Sequence, residues 1–305
     1  MKRTPLLLVA LLLVTLLPVN VFAHSPSAET LRRLDAELEE EETSPALLLQ
    51  KGIVLAAKGA HEESLKVLER AAKLRPTDPH IAYHTGLTLG KLNFPHRAEQ
   101  ELARALHLGG PKANIHFASA RLLEEAGNAE AAIKAYRLTI EHAPNLTAYL
   151  ACGALLESLN RPAEALRLYQ RGVKHTLGSA PLAKATHRLA MDLAQFEVAI
   201  NVITPLLNQA EIKTRWLLLR AAARQAGGNL KGAQKDRSSA LSFAHRLVER
   251  RPTALAYLER ARAHLALKRS GEALADLKSS LKISPSFPEA SRLYAALTST
   301  QRAAK

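Results

Sequence analysis

The chain has 305 residues, with 42 lysines and arginines against 28 aspartates and glutamates, 47% hydrophobic residues and 4% aromatic residues. This alanine- and leucine-rich mixture, with ordinary amounts of glycine and proline, excludes collagen and low-complexity disorder and favours helices over sheets. The charge is uneven: residues 24–212 carry 21 basic and 22 acidic side chains, whereas residues 213–305 carry 19 basic and 6 acidic ones.

Residues 1–23 have the pattern of an export signal. A basic start, Met1-Lys2-Arg3, precedes an apolar run from Leu6 to Leu17, which is shorter than the roughly 20 residues of a membrane-spanning helix. The sequence Val21-Phe22-Ala23 then places small residues where a signal peptidase cleaves. We therefore expect export with cleavage after Ala23. The short signal fits a bacterial envelope protein, so the expected location is the periplasm, with full secretion as the alternative.

Segments at the two ends of the remaining chain, residues 24–44 and 288–305, predict capping helices. In each segment the leucines and their apolar neighbours fall on one helical face, which leaves a polar face for solvent. These apolar positions are Leu31, Leu34 and Leu38 in the first segment and Leu293, Tyr294 and Leu297 in the second.

Between these segments the sequence repeats with a period of about 34 residues. A small residue recurs at Ser64, Ala98, Ala132, Ala165, Ala199, Ala233 and Ala273. A second series lies twelve residues earlier, at Gly52, Gly86, Ala120, Gly153, His187, Ala221 and Ala261. A third lies seven residues after the first, at Ala71, Ala105, Thr139, Gly172, Leu206, Ala240 and Ser280. Three series in one register predict an array of helical repeats.

Each repeat has the features of a helical hairpin. Its small residues allow two helices to approach closely, and its turn follows the first helix at Gly59, Asn93, Gly127, Asn160 and Gly228. Prolines stop the second helix at Pro76, Pro111, Pro144, Pro252 and Pro285. The predicted repeats are 45–78, 79–112, 113–145, 146–179, 180–213, 214–253 and 254–287. Because one hairpin alone buries only one face, the repeats must stack on each other.

From about Pro45 to Pro285 the chain resembles the tetratricopeptide repeat (TPR) family. The pattern is clearest in LLLQKGIVLAAKGAHEESLKVLERAAKLRP, RLLEEAGNAEAAIKAYRLTIEHAP and ALAYLERARAHLALKRSGEALADLKSSLKISP. The resemblance implies an all-α fold, a TPR-type α-solenoid that forms a right-handed superhelix of helix-turn-helix repeats. It also implies a binding scaffold that is not an enzyme.

Two repeats depart from the pattern. In residues 180–212, His187 and Leu206 replace small residues and no proline closes the repeat, so this repeat is predicted to be distorted or to join two sub-arrays. The sixth repeat carries six extra residues, which we expect to lengthen its second helix to about Leu230–Arg250.

The resemblance also implies a concave groove, lined by the first helix of each hairpin, that holds a protein or peptide. The family register places eight main candidates in this groove: Tyr83, Leu87, Phe117, Arg121, Leu150, Arg188, Arg215 and Arg262. Further positions in the same register are Leu49, Ile53, Glu124, Glu157, Lys184, Leu218 and Leu258.

Along the chain these groove positions change from apolar and aromatic to basic. One hypothesis is a bipartite ligand, with apolar groups on Tyr83, Phe117 and Leu150 and an acidic group on Arg188, Arg215 and Arg262. The alternative is that the aromatic residues only pack and that the arginines form a solvated face.

Residues 213–269 form a strongly basic segment with 14 basic and 3 acidic side chains. Such a surface attracts polyanions. Nucleic acid is disfavoured, because an exported protein rarely meets it and the segment lacks interleaved aromatic residues for base stacking. The alternative function is therefore an envelope-assembly subunit that docks on anionic lipid or polysaccharide. A basic face that serves only solubility also fits.

Motifs of catalysis and cofactor binding are missing from the sequence. It contains no G-x-S-x-G, no H-E-x-x-H and no glycine-rich phosphate loop, so we expect no enzyme activity, no catalytic residue and no cofactor. The lone cysteine, Cys152, excludes a disulfide scaffold and predicts a small buried side chain. His80 and His84 have a spacing suitable for a metal, but packing or surface roles are favoured for both.

Overall fold

The computed structural model describes residues 28–303, where it contains α-helices and no strand, so the all-α prediction is confirmed. The helices are α1 (Ala28–Glu40), α2 (Pro45–Ala57), α3 (His61–Leu74), α4 (Pro79–Lys91), α5 (Pro95–His107), α6 (Lys112–Glu125), α7 (Ala129–His142), α8 (Leu146–Ser158), α9 (Pro162–His175), α10 (Ala180–Asp192), α11 (Phe196–Ile203), α12 (Leu206–Gln209), α13 (Thr214–Ala226), α14 (Leu230–Arg250), α15 (Ala254–Ala266), α16 (Ser270–Ile283) and α17 (Pro288–Ala303). The predicted export signal, residues 1–23, lies outside the described residues.

The chain divides into two compact units, of which the first ends at Ala143 and the second begins at Pro144. Unit 1 contains α1 to α7, and unit 2 contains α8 to α17. Within each unit, successive helices pack in pairs, such as α4 with α5 and α13 with α14. Among residues 28–303, none of the helices is both long enough and apolar enough to cross a membrane.

The turn between paired helices has the same backbone form throughout the array. In the first pair, Gly59 has a φ of 84° and the Ala60 N–H bonds the Leu55 carbonyl over 3.0 Å. This left-handed residue with a bond back across the last turn is the Schellman ending of a helix. Left-handed φ angles recur at Asn93, Gly127, Asn160, Ala194, Gly228 and Lys268. The predicted turn positions are confirmed, and two residues without a natural preference for this conformation join them.

Close packing between paired helices depends on the small residues of the second series. A Cβ on Gly52 would lie 2.6 Å from the Leu68 Cγ, and one on Gly153 would lie 2.1 Å from the Tyr169 Cε1. Real side chains do not approach so closely, so a larger residue here would push the helices apart. The predicted role of these glycines is confirmed.

The fifth repeat, residues 180–213, is distorted. Its second helix stops at Ile203, and the short α12 follows only after Thr204 and Pro205. Proline cannot donate a backbone hydrogen bond and its ring crowds the preceding turn, which explains the interruption. His187 is buried and one ring nitrogen, Nε2, lies 3.0 Å from the Leu219 carbonyl oxygen, while burial lowers its pKa.

Helices occur at both ends of the described array. In α1, Leu34 is buried and Leu38 packs against the core of the first helix pair. In α17, Leu293, Tyr294 and Leu297 pack against the core of the last pair. The sixth repeat carries the predicted extension, because α14 spans Leu230–Arg250 and has 21 residues.

Candidate functional site

Four of the predicted groove residues line one pocket in unit 1. This aromatic pocket, of about 350 Å³, is lined by Tyr83, Leu87, Phe117 and Arg121, which come from α4 and α6. Gly86 and Gly90 also line it. A Cβ on Gly90 would lie 2.8 Å from a Leu122 methyl group, so the glycine lets α4 and α6 approach closely beside the pocket.

The side chains of the aromatic pocket are held from behind by neighbours. The Phe117 ring meets the Tyr136 ring edge to face at 5.6 Å, and the Tyr136 hydroxyl donates to Glu124 over 2.6 Å. Arg121 pairs with Glu124 at 3.4 Å, so its charge is balanced within unit 1. Burial raises the pKa of Tyr83, which keeps its phenol neutral. The pocket therefore offers two neutral aromatic rings beside a charged edge, which is formed by Lys91, Arg121 and Glu125.

Five more predicted groove residues, Lys184, Arg188, Arg215, Leu218 and Arg262, line a larger pocket in unit 2. This basic pocket, of about 760 Å³, is formed by α10, α13, α15 and α17. Its charged lining consists of Lys184, Arg188, Arg215, Arg262 and Glu289. Leucines 218, 219 and 265 supply an apolar floor.

The arginines of the basic pocket already hold carboxylates of unit 2. One Arg188 nitrogen, Nη2, donates to both Glu157 oxygens, at 2.8 and 2.7 Å. Glu289 accepts from Arg262 at 2.6 Å and from Arg215 at 3.4 Å. The hydrogen bond from Arg262 holds the pKa of Glu289 below its usual range, so Glu289 stays ionised. An acidic ligand at Arg215 and Arg262 would therefore have to share or displace Glu289.

The spacing of these residues along the chain matches that of a known repeat. A model of the tetratricopeptide repeat matches residues 83–147, 117–184 and 226–288, which together cover more than half of the chain. The chain belongs to the tetratricopeptide repeat family. TPR proteins generally act as non-enzymatic scaffolds that bind other proteins. No curated protein matches the sequence.

Solved TPR structures resemble the chain in fold. The C-terminal part of a TPR protein from Cytophaga hutchinsonii is 14% identical, with a TM-score of 0.51 over 79% of this chain and 97% of that one. A TPR protein from Parabacteroides merdae is 17% identical, with a TM-score of 0.43 over 83% and 98%. Pseudomonas aeruginosa pilF is 16% identical, with a TM-score of 0.46 over 72% and 97%.

The remaining predicted groove residues lie elsewhere. Leu150 is half-buried on α8 and lines neither the aromatic pocket nor the basic pocket. Leu258 is fully buried in the core of the last helix pair, so its assignment to the TPR groove was wrong. The family register placed it correctly on α15, but a fully covered side chain cannot meet a ligand. Leu49 and Ile53 are half-buried on α2, and Leu49 packs against the core of the first helix pair.

Sequence reasoning missed the buried ion pairs of the last two complete TPR pairs. Arg220 donates two hydrogen bonds to Asp236, at 2.9 and 2.8 Å, and Arg260 donates two to Asp276, at 2.9 and 2.6 Å. The signal was present, since both the arginine and the aspartate recur after 40 residues, which is the step of the small-residue series. Arg224 adds a third bond to Asp236, at 2.8 Å.

The two histidines of α4 differ in their exposure to solvent. His80 is exposed, whereas His84 is half-buried and lies 5.0 Å from the Tyr83 ring. Burial, with a smaller contribution from His80, lowers the pKa of His84 to about 4. Within residues 28–303, no three histidine, cysteine, aspartate or glutamate side chains are grouped so that they could hold a metal ion. Cys152 is buried.

Proposed function

We propose that this TPR protein is a non-enzymatic scaffold of the bacterial envelope that holds a protein partner on the first helices of its repeats. One observation carries the proposal: residues assigned to the groove from separate repeats line common pockets. Tyr83 and Phe117 are 34 residues apart yet share the aromatic pocket, and Arg188, Arg215 and Arg262 share the basic pocket.

In this proposal the aromatic pocket binds an apolar side chain of the partner. Its volume of about 350 Å³ lies at the small end of ligand pockets and suits an anchoring side chain. Tyr83 and Phe117 supply contact area with few rotatable bonds, which keeps the entropy cost of binding low.

The basic pocket binds an acidic side chain of the partner. Four cations face a single carboxylate lining the pocket, Glu289, and that side chain is about half exposed. Glu289 therefore occupies the position that an acidic group of the partner would take. Exchange of one carboxylate for another keeps Arg215 and Arg262 paired, so binding leaves no buried charge alone.

Site-specific photocrosslinking in a native envelope preparation tests this function. A photoreactive phenylalanine analogue at Phe117 should crosslink one dominant protein, whereas the same analogue at exposed Lys134 on α7 should not. Salt should weaken capture only partly, because part of the contact is apolar. Equal labelling from both positions, or none from either, would contradict binding at the aromatic pocket.

Glu289→Gln tests the basic pocket separately. The substitution keeps the size of the side chain but removes the charge that competes for Arg215 and Arg262. We expect the same partner to be captured more strongly at low salt. Glu272→Gln on α16, an exposed carboxylate outside the basic pocket, is the matched control. Unchanged capture by Glu289→Gln would remove the acidic side chain from the proposal.

Export is supported by the pattern of residues 1–23. N-terminal sequencing of the protein from the periplasmic fraction of a bacterial host should give a chain that begins at His24. A full-length chain in the cytoplasmic fraction would refute both the export and the envelope role.

A second candidate function is docking on an anionic envelope polymer or lipid through residues 213–269. The observation in its favour is a group of exposed basic side chains: Lys231, Lys235, Arg246, Arg250, Arg251, Lys268 and Arg269. Co-sedimentation with anionic but not neutral vesicles, lost at high salt, is the expected result. Equal binding to both vesicle types would count against it.

A further inference from the structure

Unit 2 contains a second concentration of positive charge, away from the basic pocket. This cationic cleft, of about 530 Å³, carries four basic side chains: Lys213, Arg220, Arg224 and Lys235. Neutral hydrogen-bonding side chains line it as well: Thr204, Asn208, Asn229 and Ser239. None of these residues belongs to the predicted groove.

The distortion of the fifth repeat helps to form this cleft. The interruption at Pro205 turns the chain, and Thr204 and Asn208 line the cleft from either side of that interruption. The N-cap residue of α13 adds Lys213, and the long α14 adds Lys235. In a regular repeat Thr204 and Asn208 would lie on one continuous helix. Here they lie on either side of the interruption and border the cleft.

Asp236 fixes the two arginines of the cleft. Its side chain is 3% exposed and accepts two hydrogen bonds from Arg220 and one from Arg224. The remaining Arg220 nitrogen, Nη1, lies 3.4 Å from the Thr204 hydroxyl. Both guanidinium groups are thereby held in place before any ligand arrives, which lowers the entropy cost of binding.

The charge of the cleft is not balanced by its own residues. Asp236 is the one carboxylate among its lining residues, against two arginines and two lysines. Lys213 has its ammonium 5.4 Å from the centre of the Phe243 ring, a contact that leaves its charge uncompensated. Gathering like charges costs free energy, and a bound anion offsets that cost.

We propose that this cleft binds a phosphoryl group. A phosphate monoester carries between one and two negative charges and three acceptor oxygens, which matches several cations flanked by neutral donors. Among residues 28–303, the hydrogen bonds of Arg224 come from Nη1, so its Nε and Nη2 can donate to the paired oxygens of a phosphoryl group. A carboxylate has one charge and two oxygens, and would leave most of the cleft unpaired.

The seventh repeat contains an equivalent arginine–aspartate pair without the two lysines. Arg260 and Asp276 form the same two-bond pair there, 40 residues further along the chain. At the positions that correspond to Lys213 and Lys235, however, the seventh repeat has Thr253 and Ala275. The arginine–aspartate pair thus stabilises both repeats, and the two lysines are an addition specific to the cleft.

The proposal deepens the second candidate function by naming the recognised group, but it also holds for a free ligand. Calorimetric titration of the chain from His24 to Lys305 with inorganic phosphate should show saturable binding, and acetate should bind at least about tenfold more weakly. Lys213→Ala and Lys235→Ala should each weaken phosphate binding by about tenfold. Lys278→Ala, an exposed lysine on α16 that lies outside the cleft and outside residues 213–269, is the matched control and should leave it unchanged.

Lys235 is exposed and Lys213 is half-buried, and circular dichroism should show that both variants keep the helix content of the parent. Vesicles that contain phosphatidic acid separate a lipid source from a free one. If vesicles bind and the same two substitutions abolish binding, the ligand is a lipid headgroup. If phosphate binds and vesicles do not, the second candidate function fails while the cleft stands. No binding of inorganic phosphate, equal binding of acetate, or equal loss with Lys278→Ala would overturn the proposal.

Discussion

The two units bury different kinds of polar group. Among the described residues of unit 1, which begin at Ala28, the buried polar side chains are serines and threonines: Ser44, Ser64, Thr85, Thr88 and Thr139. In unit 2 they include ionisable groups: His187, Asp236, Glu259, His264 and Asp276. A buried hydroxyl can satisfy itself on a helix carbonyl, as Thr85 does on Ile81 at 2.8 Å. A buried carboxylate needs a cation, so the packing of unit 2 depends on specific partners.

This difference connects stability with function in unit 2. Arg220 and Arg224 rest on a buried aspartate while lining the cationic cleft, and Arg262 contacts buried Glu259 while lining the basic pocket. The internal acids hold the arginines in place. The aromatic pocket of unit 1 needs no such support, because Tyr83 and Phe117 are fixed by packing.

The largest expected effect comes from removing a buried charge in unit 2. Asp236→Asn leaves two arginines without their carboxylate, and we expect a loss of about 3 kcal/mol or more in the free energy of unfolding. Trp216 is the only tryptophan and lies in unit 2, so its fluorescence during urea unfolding reports the change.

Ser64→Ala is the corresponding change in unit 1. The Ser64 hydroxyl donates to the Gly52 carbonyl over 2.7 Å, but the other six repeats have alanine at this position. We expect a loss of less than about 1 kcal/mol, measured by hydrogen exchange of α2 and α3. If Asp236→Asn and Ser64→Ala lose the same free energy of unfolding, the buried charge of unit 2 stabilises the fold no more than the buried hydroxyl of unit 1.

Unit 1 should nevertheless lose stability in acid through His84. Its pKa of about 4 lies below the ordinary value of 6.5, so the unfolded chain binds more protons between these two pH values. The free energy of unfolding of unit 1 therefore keeps its full value above about pH 6.5. It falls by up to about 3 kcal/mol as the pH falls to about 4, because protonation of His84 then favours the unfolded chain. Hydrogen exchange of α4 at pH 7 and pH 4.5 measures this loss, and His84→Gln should reduce it. An unchanged loss in His84→Gln would assign the acid sensitivity to other groups.

The architecture could be predicted from the sequence because it repeats. Ser64 and its equivalents fixed the register, and the register placed Tyr83 with Phe117 and Arg188 with Arg215. What the register could not supply was contact between elements distant in sequence. Glu289 lies 74 residues from Arg215, in a segment predicted only as a cap, so its place in the basic pocket required the packing of α17. Leu258 shows the converse limit, because α17 covers the core around it.

Close helix contacts should be less tolerant in unit 2. An alanine at Gly153 would place its Cβ 2.1 Å from the Tyr169 ring, whose hydroxyl donates to Glu157 over 2.9 Å. Moving the ring breaks this bond, and we expect a loss of about 1–3 kcal/mol. In unit 1, the Cβ of Gly86→Ala would lie 3.0 Å from a Leu102 methyl group and 3.1 Å from the Ala98 carbonyl oxygen, which is less crowded, so a smaller loss is expected. Thermal unfolding followed by circular dichroism ranks the two, and a larger loss for Gly86→Ala would contradict the comparison.

The smallest effect concerns the turns between paired helices. Unit 1 uses Gly59, Asn93 and Gly127 at the left-handed position, whereas unit 2 places Ala194 there with a φ of 55°. Alanine is strained in this region because its Cβ crowds the following carbonyl, and glycine is not. Ala194→Gly should therefore stabilise unit 2 by about 0.5–1 kcal/mol, net of the larger entropy of glycine in the unfolded chain. Gly59→Ala, where no atom lies near the added Cβ, should destabilise unit 1 by a similar amount through backbone strain alone. Urea unfolding followed by Trp216 fluorescence gives the sign of the stability change for Ala194→Gly. Hydrogen exchange of α2 gives the sign for Gly59→Ala. If Ala194→Gly destabilises unit 2, the larger entropy of glycine in the unfolded chain outweighs any strain at Ala194, and the proposed difference between the two turns is wrong.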